Sequence, residues 1–321
     1  MRAFSLAALA GVSSAALNNL QFKFMQWMVE HNKAYETVGE YEYRFSLWEQ
    51  AEHEINAWNM EGHDSFQGHN FHSDFSETEF SIMNGFINEG QRPGPYAEYE
   101  PTNEATVDWV AKGAVTDIKN QGSCGSCWSF STTGAMEGAH FIATGELLSL
   151  SEQQFVSCAH NGNMGCMGGI MDKAFEWAET NAIETESDYP YKGWLGQLAG
   201  CKTNESLGKV KVQSFVDVTP KSSEALKAQI AKGPVSVAIQ ANQRVFQRYK
   251  GGIIRATDGC GTNLDHGVLA VGYGVDNGVE YYKVKNSWGT TYGEDGYVRL
   301  EIADGDGVCG IQMQPAQPTT N

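Results

Sequence analysis

Gln121-Gly-Ser-Cys-Gly-Ser-Cys-Trp-Ser-Phe130 puts two of the chain's seven cysteines three residues apart, just ahead of a proline-free run from Trp128 to Ile142. That run reads as a helix closed near Gly145. Six cysteines can pair and the seventh cannot. In an exported protein the leftover is either an intermolecular link or a reactive thiol. Cys127 falls at or near a helix start, where free N–H groups and the helix dipole favour thiolate over thiol. Such thiols titrate roughly between pH 3.5 and 7.5. The expectation is a nucleophilic Cys127.

Export is read from the other end. Met1-Arg2 is a short basic start, Ala3 to Val12 a small-residue apolar stretch, and Ser14-Ala15-Ala16 suits signal cleavage, so residues 1–16 read as a signal peptide. No stretch approaches the roughly 18 uninterrupted apolar residues of a membrane span. The expected setting is the secretory pathway, in a disulfide-permitting acidic compartment (lysosome-like or food-vacuole-like) or outside the cell.

The 321 residues carry a net charge of −17, of which −10 lies in residues 1–102 together with five of the eight histidines: His31, His53, His63, His69 and His72. An acidic chain without a basic cluster is a poor nucleic-acid binder. Length implies two or three units, and Gly90–Pro101 is a Gly/Pro-bearing connector between them. Residues 17–89 read as helical. Leu20, Phe24, Trp27 and Met28 recur at helical spacing, then Tyr41, Phe45, Trp48 and Ile55, with Glu40 and Arg44 an i,i+4 pair. Later the period changes. Val210, Val212, Val216 and Val218 alternate, as do Val235, Val237 and Ile239, and then Val298, Leu300 and Ile302, with one helix at Ser223–Lys232 stopped by Gly233-Pro234. Helices followed by an antiparallel sheet or barrel give an α+β class.

A thiol nucleophile needs a base for its proton, a group that fixes the base's tautomer, and donors for the oxyanion. His266 opens the apolar run Leu264–Tyr273, Asn286 closes Tyr282–Lys285, and Gln121 lies six residues before the thiol. Each alone is weak, since a lone histidine is usually structural and Asn-Ser-Trp-Gly usually a turn. With Cys-Gly-Ser-Cys-Trp they form a set. The histidine and asparagine follow Cys127 by 139 and 159 residues. From residue 20 to about 315 the chain resembles the papain-like cysteine proteases, and within them the cathepsin L group.

The resemblance implies a two-lobed peptidase over 103–321. A mainly helical lobe, 103–209, would carry Cys127, and a mainly β-barrel lobe, 210–321, would carry His266 and Asn286, with substrate in the cleft between. It pairs Cys124 with Cys166, Cys158 with Cys201 and Cys260 with Cys309; the sequence alone leaves all 15 connectivities open. Gly168 and Gly169 resemble a rail for an extended peptide. Ile170, Met171, Ala238, Leu264 and Gln314 would wall the specificity pocket, Asp265 would adjoin it, and Trp288 would shield the His266–Asn286 bond. The apolar walls imply Leu, Phe or Val at the second residue before the cut. Val107-Asp-Trp109 sets the processed start near Thr102–Ala105. Residues 17–102 then resemble an inhibitory propeptide, its helix motif read as Glu40, Arg44, Trp48, Ala51, Ile55 and Asn59. Gly68-His-Asn70-Phe-His-Ser-Asp74 is the second motif, with His72 where an aromatic ring is usual. The five histidines there suggest release by acid.

The implied enzyme is an endopeptidase, since no histidine-rich insertion follows Cys166 and the chain runs only about a dozen residues past Cys309. It would need no metal or organic cofactor. Its partners would be protein and peptide substrates, its own propeptide and cystatin-type inhibitors, and it would be a monomer. Asn204-Glu-Ser206 is one glycosylation sequon. Cys124-Gly-Ser-Cys127 is also formally a C-x-x-C, but it lacks the βαβ setting of a thiol oxidoreductase. A zinc site lacks a second close Cys or His pair. A catalytically silent relative would have lost the thiol, histidine or asparagine, and all three are present.

Overall fold

The computed structural model of the chain describes residues 19–90 and 94–321; the signal peptide expected at 1–16 lies outside the described residues. Two helices open the fold, α1 (Asn19–Glu30) and α2 (Val38–Glu61). Their apolar stripes close on each other: Phe24, Trp27 and Trp48 are buried, with Leu20, Met28, Tyr35, Tyr41 and Phe45 packed round them. Thr37 starts α2 by accepting the Glu40 N–H, and Gly62, in the left-handed region, ends it. Arg44 lies 3.9 Å from Glu40, but its strong partner is Glu79, held by two hydrogen bonds of 2.6 Å. Asn59 holds Gln67 through both its amide atoms, fixing strand β1 (Ser65–Gln67). Helix α3 (Glu77–Met83) begins at a Ser76/Glu79 capping box. Helical structure in this unit stops at Met83, short of the expected residue 89, and the chain continues extended.

Beyond the connector come β2 (Val107–Asp108), α4 (Cys127–Thr144), α5 (Glu152–Cys158), α6 (Met171–Ala178) and α7 (Trp194–Leu198). Then follow β3 (Val212–Asp217), α8 (Ser223–Lys232), β4 (Val235–Ile239), α9 (Arg244–Gln247), β5 (Tyr249–Ile254), β6 (His266–Asp276), β7 (Val279–Lys285), β8 (Tyr297–Glu301) and β9 (Ala316–Thr320). Helix α4 is buried over most of its surface and carries serines and threonines inside. Their hydroxyls are matched by backbone: Ser131 donates to the Val268 carbonyl at 2.7 Å, and Ser236 donates to the Ser131 carbonyl at 2.9 Å. These bonds lock α4 across β6 and β4.

The sheet differs from the expected antiparallel barrel. Its order is β1-β5-β8-β7-β6-β4-β9-β3, with β2 paired to β6, and the path does not close. The β5–β8 pair is parallel. One edge is β3; the other is covered by β1 from the N-terminal unit, which pairs antiparallel with β5. An open edge can be capped by a strand from another unit, which a closed barrel does not allow. A register shift between Val212 and Ser214 turns Val216 outward, 38% exposed, against the expected alternation. Three bridges, Cys124–Cys166, Cys158–Cys201 and Cys260–Cys309, have the pairing the resemblance implied. Each closes a loop of 42 to 49 residues, worth about 2–4 kcal/mol through the unfolded chain.

Candidate active site

Cys127 is the first residue of α4 and the one free cysteine among the described residues. Its sulfur accepts the Gly267 N–H at 3.3 Å, so it sits against the residue that follows His266. His266 Nε2 lies 2.9 Å from Asn286 Oδ1. That oxygen also accepts the Ser287 N–H at 2.8 Å, which fixes the amide's orientation. An amide oxygen only accepts, so Nε2 carries the proton and Nδ1 is the bare, basic nitrogen. Nδ1 is buried and has no hydrogen-bond partner among the described residues. The Trp288 ring is tilted beside the imidazole, centroids 4.8 Å apart, and His266 and Asn286 are both buried.

The N-terminal unit fills the cleft beside these residues. Gln121 Nε2 donates to the Met83 carbonyl at 2.8 Å and to the Cys124 carbonyl at 2.9 Å, while its Oε1 accepts from the Ser287 hydroxyl at 2.7 Å. Gly169 N–H donates to the Gly85 carbonyl at 2.8 Å and Ile87 N–H to the Gly169 carbonyl at 3.0 Å, a parallel bridge centred on Phe86 and Gly169. Phe86 N–H donates to the Asp265 carbonyl at 3.0 Å. The fit excludes any side chain at Gly85, since a Cβ there would stand 1.9 Å from the Gly125 carbonyl oxygen. At Gly169 a Cβ would meet Trp128 and Asn163 at 2.6 Å. The ring of Phe86 joins the buried cluster that contains Ile170, Met171, Ala238 and Leu264.

Other expected site residues sit differently. Gln314 reaches past the pocket and donates to Asn88 Oδ1 at 2.8 Å and the Gly90 carbonyl at 3.0 Å; Met313 packs on the cluster instead. The Asp265 carboxylate accepts from Ala241 and Asn242 N–H, and burial raises its pKa to about 6. Trp288 is buried rather than lining open cleft, with Phe80 and His72 rings set edge-on at 5.2 and 5.5 Å. His72 thus does an aromatic residue's packing. Asn204 is exposed and accepts from the Ser206 N–H and hydroxyl.

Electrostatics in this closed state run against the expected thiolate. Burial pushes the Cys127 thiol up to about 12, outweighing the N–H groups of Gly267, Gly85 and Trp128 that favour its anion. Burial likewise lowers His266 to about 4, against its bond to Asn286. Helix-terminal position is a smaller effect than loss of water at both groups. Sequence reasoning missed Met83, Gly85, Phe86, Gly267 and Ser287. The available signal was Phe86-Ile87, an apolar pair just beyond the last helix of an otherwise polar stretch.

Comparison with known proteins agrees with this arrangement. Residues 103–319 match the model of the papain family cysteine proteases, and residues 24–80 that of the cathepsin propeptide inhibitor domain (I29). The chain is 41% identical over 307 residues to the senescence-specific cysteine protease SAG39 of Oryza sativa subsp. japonica, covering 92% of this chain and 88% of that protein. It is 51% identical over 217 residues to germination-specific cysteine protease 1 of Arabidopsis thaliana, covering 66% and 57%. Among solved structures it is similar to digestive procathepsin L 3 of Tenebrio molitor larval midgut (35% identity, TM-score 0.85, covering 94% of this chain and all of that one). It is similar too to the recombinant stem bromelain precursor (33%, TM-score 0.85, covering 94% and 98%). The chain belongs to the papain family of cysteine proteases, and its N-terminal unit is the propeptide inhibitor domain that makes it a zymogen.

Proposed function

We propose that Cys127, His266 and Asn286 form the catalytic triad of an acid-activated endopeptidase that prefers an apolar residue two positions before the cut. His266 Nδ1 takes the thiol proton, and the sulfur attacks the peptide carbonyl carbon. The side chain of Gln121 and the Cys127 N–H hold the oxyanion. The imidazolium then protonates the departing amine, and water activated by His266 hydrolyses the acyl-enzyme. Asn286 keeps the proton on Nε2.

The observation that carries this reading is the propeptide's own path. A peptide carbonyl, that of Met83, rests on Gln121, and an aromatic ring, Phe86, lies among the pocket walls. The Gly85 N–H is among the groups that favour the sulfur's anion and itself donates to the Met83 carbonyl at 3.1 Å, consistent with a strap that is held and not cut. Once it leaves, substrates and cystatin-type inhibitors would share the vacated cleft. The mature enzyme would be a monomer released near Thr102–Ala105, in an acidic secretory compartment or outside the cell.

The test is hydrolysis of dipeptidyl fluorogenic substrates by the acid-processed protein. Phe or Leu at the second position should exceed Arg by at least tenfold in kcat/KM, on the order expected for one apolar pocket, and Cys127→Ala should abolish turnover. Equal rates for Arg would overturn the specificity, and turnover by Cys127→Ala the triad.

A further inference from the structure

Tyr191 lies outside the triad and outside the pocket, yet its hydroxyl touches both ends of the loop that carries the oxyanion donors. It donates to the Gln121 carbonyl at 2.8 Å and lies 2.6 Å from the Ser126 hydroxyl. Burial keeps the phenol protonated. With its single proton given to Gln121, the phenol oxygen accepts from Ser126, so the order is Ser126 Oγ–H to Tyr191 Oη–H to the Gln121 carbonyl. The ring is fixed edge-on to Phe130 at 4.9 Å, and its main-chain N–H donates to Glu186 Oε1 at 2.7 Å.

Ser126 is the N-cap of α4 and makes no side-chain cap bond. A serine there ordinarily accepts from the second or third helical N–H. Here the third, Ser129, is satisfied by the Ser126 carbonyl at 2.8 Å. The second, that of Trp128, is among the groups that favour the Cys127 anion. Donating to Tyr191 fixes the Ser126 oxygen, whose lone pairs could otherwise turn toward that N–H.

We propose that Tyr191 is a positioning residue: it ties Gln121 to Ser126 and turns the cap hydroxyl away from α4, leaving the helix's first amides to the thiolate and the oxyanion. This rests on the reading of Cys127 as nucleophile and Gln121 as oxyanion donor. In the acid-processed Tyr191→Phe enzyme, kcat should fall about three- to tenfold, the worth of one lost hydrogen bond, with KM within about twofold of wild type. Iodoacetamide alkylation of Cys127 should shift to higher pH, because the freed Ser126 oxygen captures the Trp128 N–H. Adding Ser126→Ala to Tyr191→Phe should return the alkylation profile to that of wild type while kcat stays low. Unchanged kcat and alkylation profile in Tyr191→Phe would overturn the proposal. So would a double variant whose alkylation stays shifted, and so would equal losses in kcat and KM with a lowered melting point, the mark of general loosening. Wild-type enzyme that turns over without a reactive Cys127 would instead overturn the underlying triad reading, and the two failures are distinguishable.

Discussion

In the proposed triad Asn286 acts through one oxygen. By accepting from Nε2 at 2.9 Å it selects the imidazole tautomer whose Nδ1 is basic. Replacing it with alanine removes a hydrogen bond to a ring that becomes charged, worth about 1.5–3 kcal/mol. The expected outcome for Asn286→Ala is a kcat lowered roughly 10- to 150-fold, with a normal melting curve and little change in KM; steady-state kinetics on the processed enzyme checks it. Gln121→Ala should cost about 10²–10³ in kcat, as for other oxyanion donors. It should also loosen the zymogen, because the Met83 carbonyl loses the donor that ties it to the peptidase and keeps only the Gly85 N–H. Trapping of the thiol in unprocessed protein at neutral pH reads that second effect.

The extended strap from Asn84 to Gly90 was the element hardest to see in advance. Its conformation is set by the cleft: Asp265, Gly169 and Gln314 supply its backbone partners, and none is near it in sequence. Elements whose signal is local were legible. The Ser223–Lys232 helix has its stated bounds, and the helix after Cys127 ends on Gly145. The apolar stripes of the first two helices meet as their spacing implied. Barrel closure was misread because alternation reports which face is buried and says nothing of whether the last strand finds the first. Motif and resemblance singled out Cys127, His266, Asn286 and Gln121, and the structure sets Cys127 against Gly267, His266 on Asn286 and Gln121 on Ser287. Their closed-state charges were not legible, because the burial that sets them arises only in the folded zymogen. At this scale the sharpest substitution is Gly85→Ala. Its methyl would meet backbone at 1.9 Å, where no side chain can yield. The expected zymogen stays folded, with its thiol open to a trap at pH 7, measured by mass shift.

The proposed acid release belongs to the whole molecule, and its expected sign follows from burial. His69, stacked on Trp48 at 4.2 Å and 3.1 Å from Glu52, is lowered by burial to about 4. His72, against Trp288, is lowered by burial to about 3. Both are neutral in the closed form, so that form binds fewer protons than the released one. For His72, whose ring meets Trp288 of the peptidase, closure is therefore fully held above pH 6.5 and weakens as pH falls toward 4, by about 3 kcal/mol; the His69 contacts lie within the propeptide, so its protonation loosens that unit. Two groups do not follow. His63 is raised by Glu61 and Asp258, so acid strengthens that contact. Glu79 is held at about 2 by Arg44, so the propeptide keeps its internal ion pair while its docking face weakens. The expectation is that His69→Gln with His72→Phe, which keeps a ring against Trp288, moves the midpoint of self-processing to lower pH. An unaltered pH profile would remove these histidines from the account.

The central claim is that one thiol, masked in the zymogen, is the nucleophile of the freed enzyme. Incubating the protein with an epoxysuccinyl thiol trap, before and after acid processing, and mapping the peptides tests it most directly. The account predicts no label at pH 7 in the zymogen, one label per molecule on Cys127 after processing, and loss of peptidase activity in proportion. Activity that survives complete labelling of Cys127, or a label on another residue that alone abolishes it, would contradict the account.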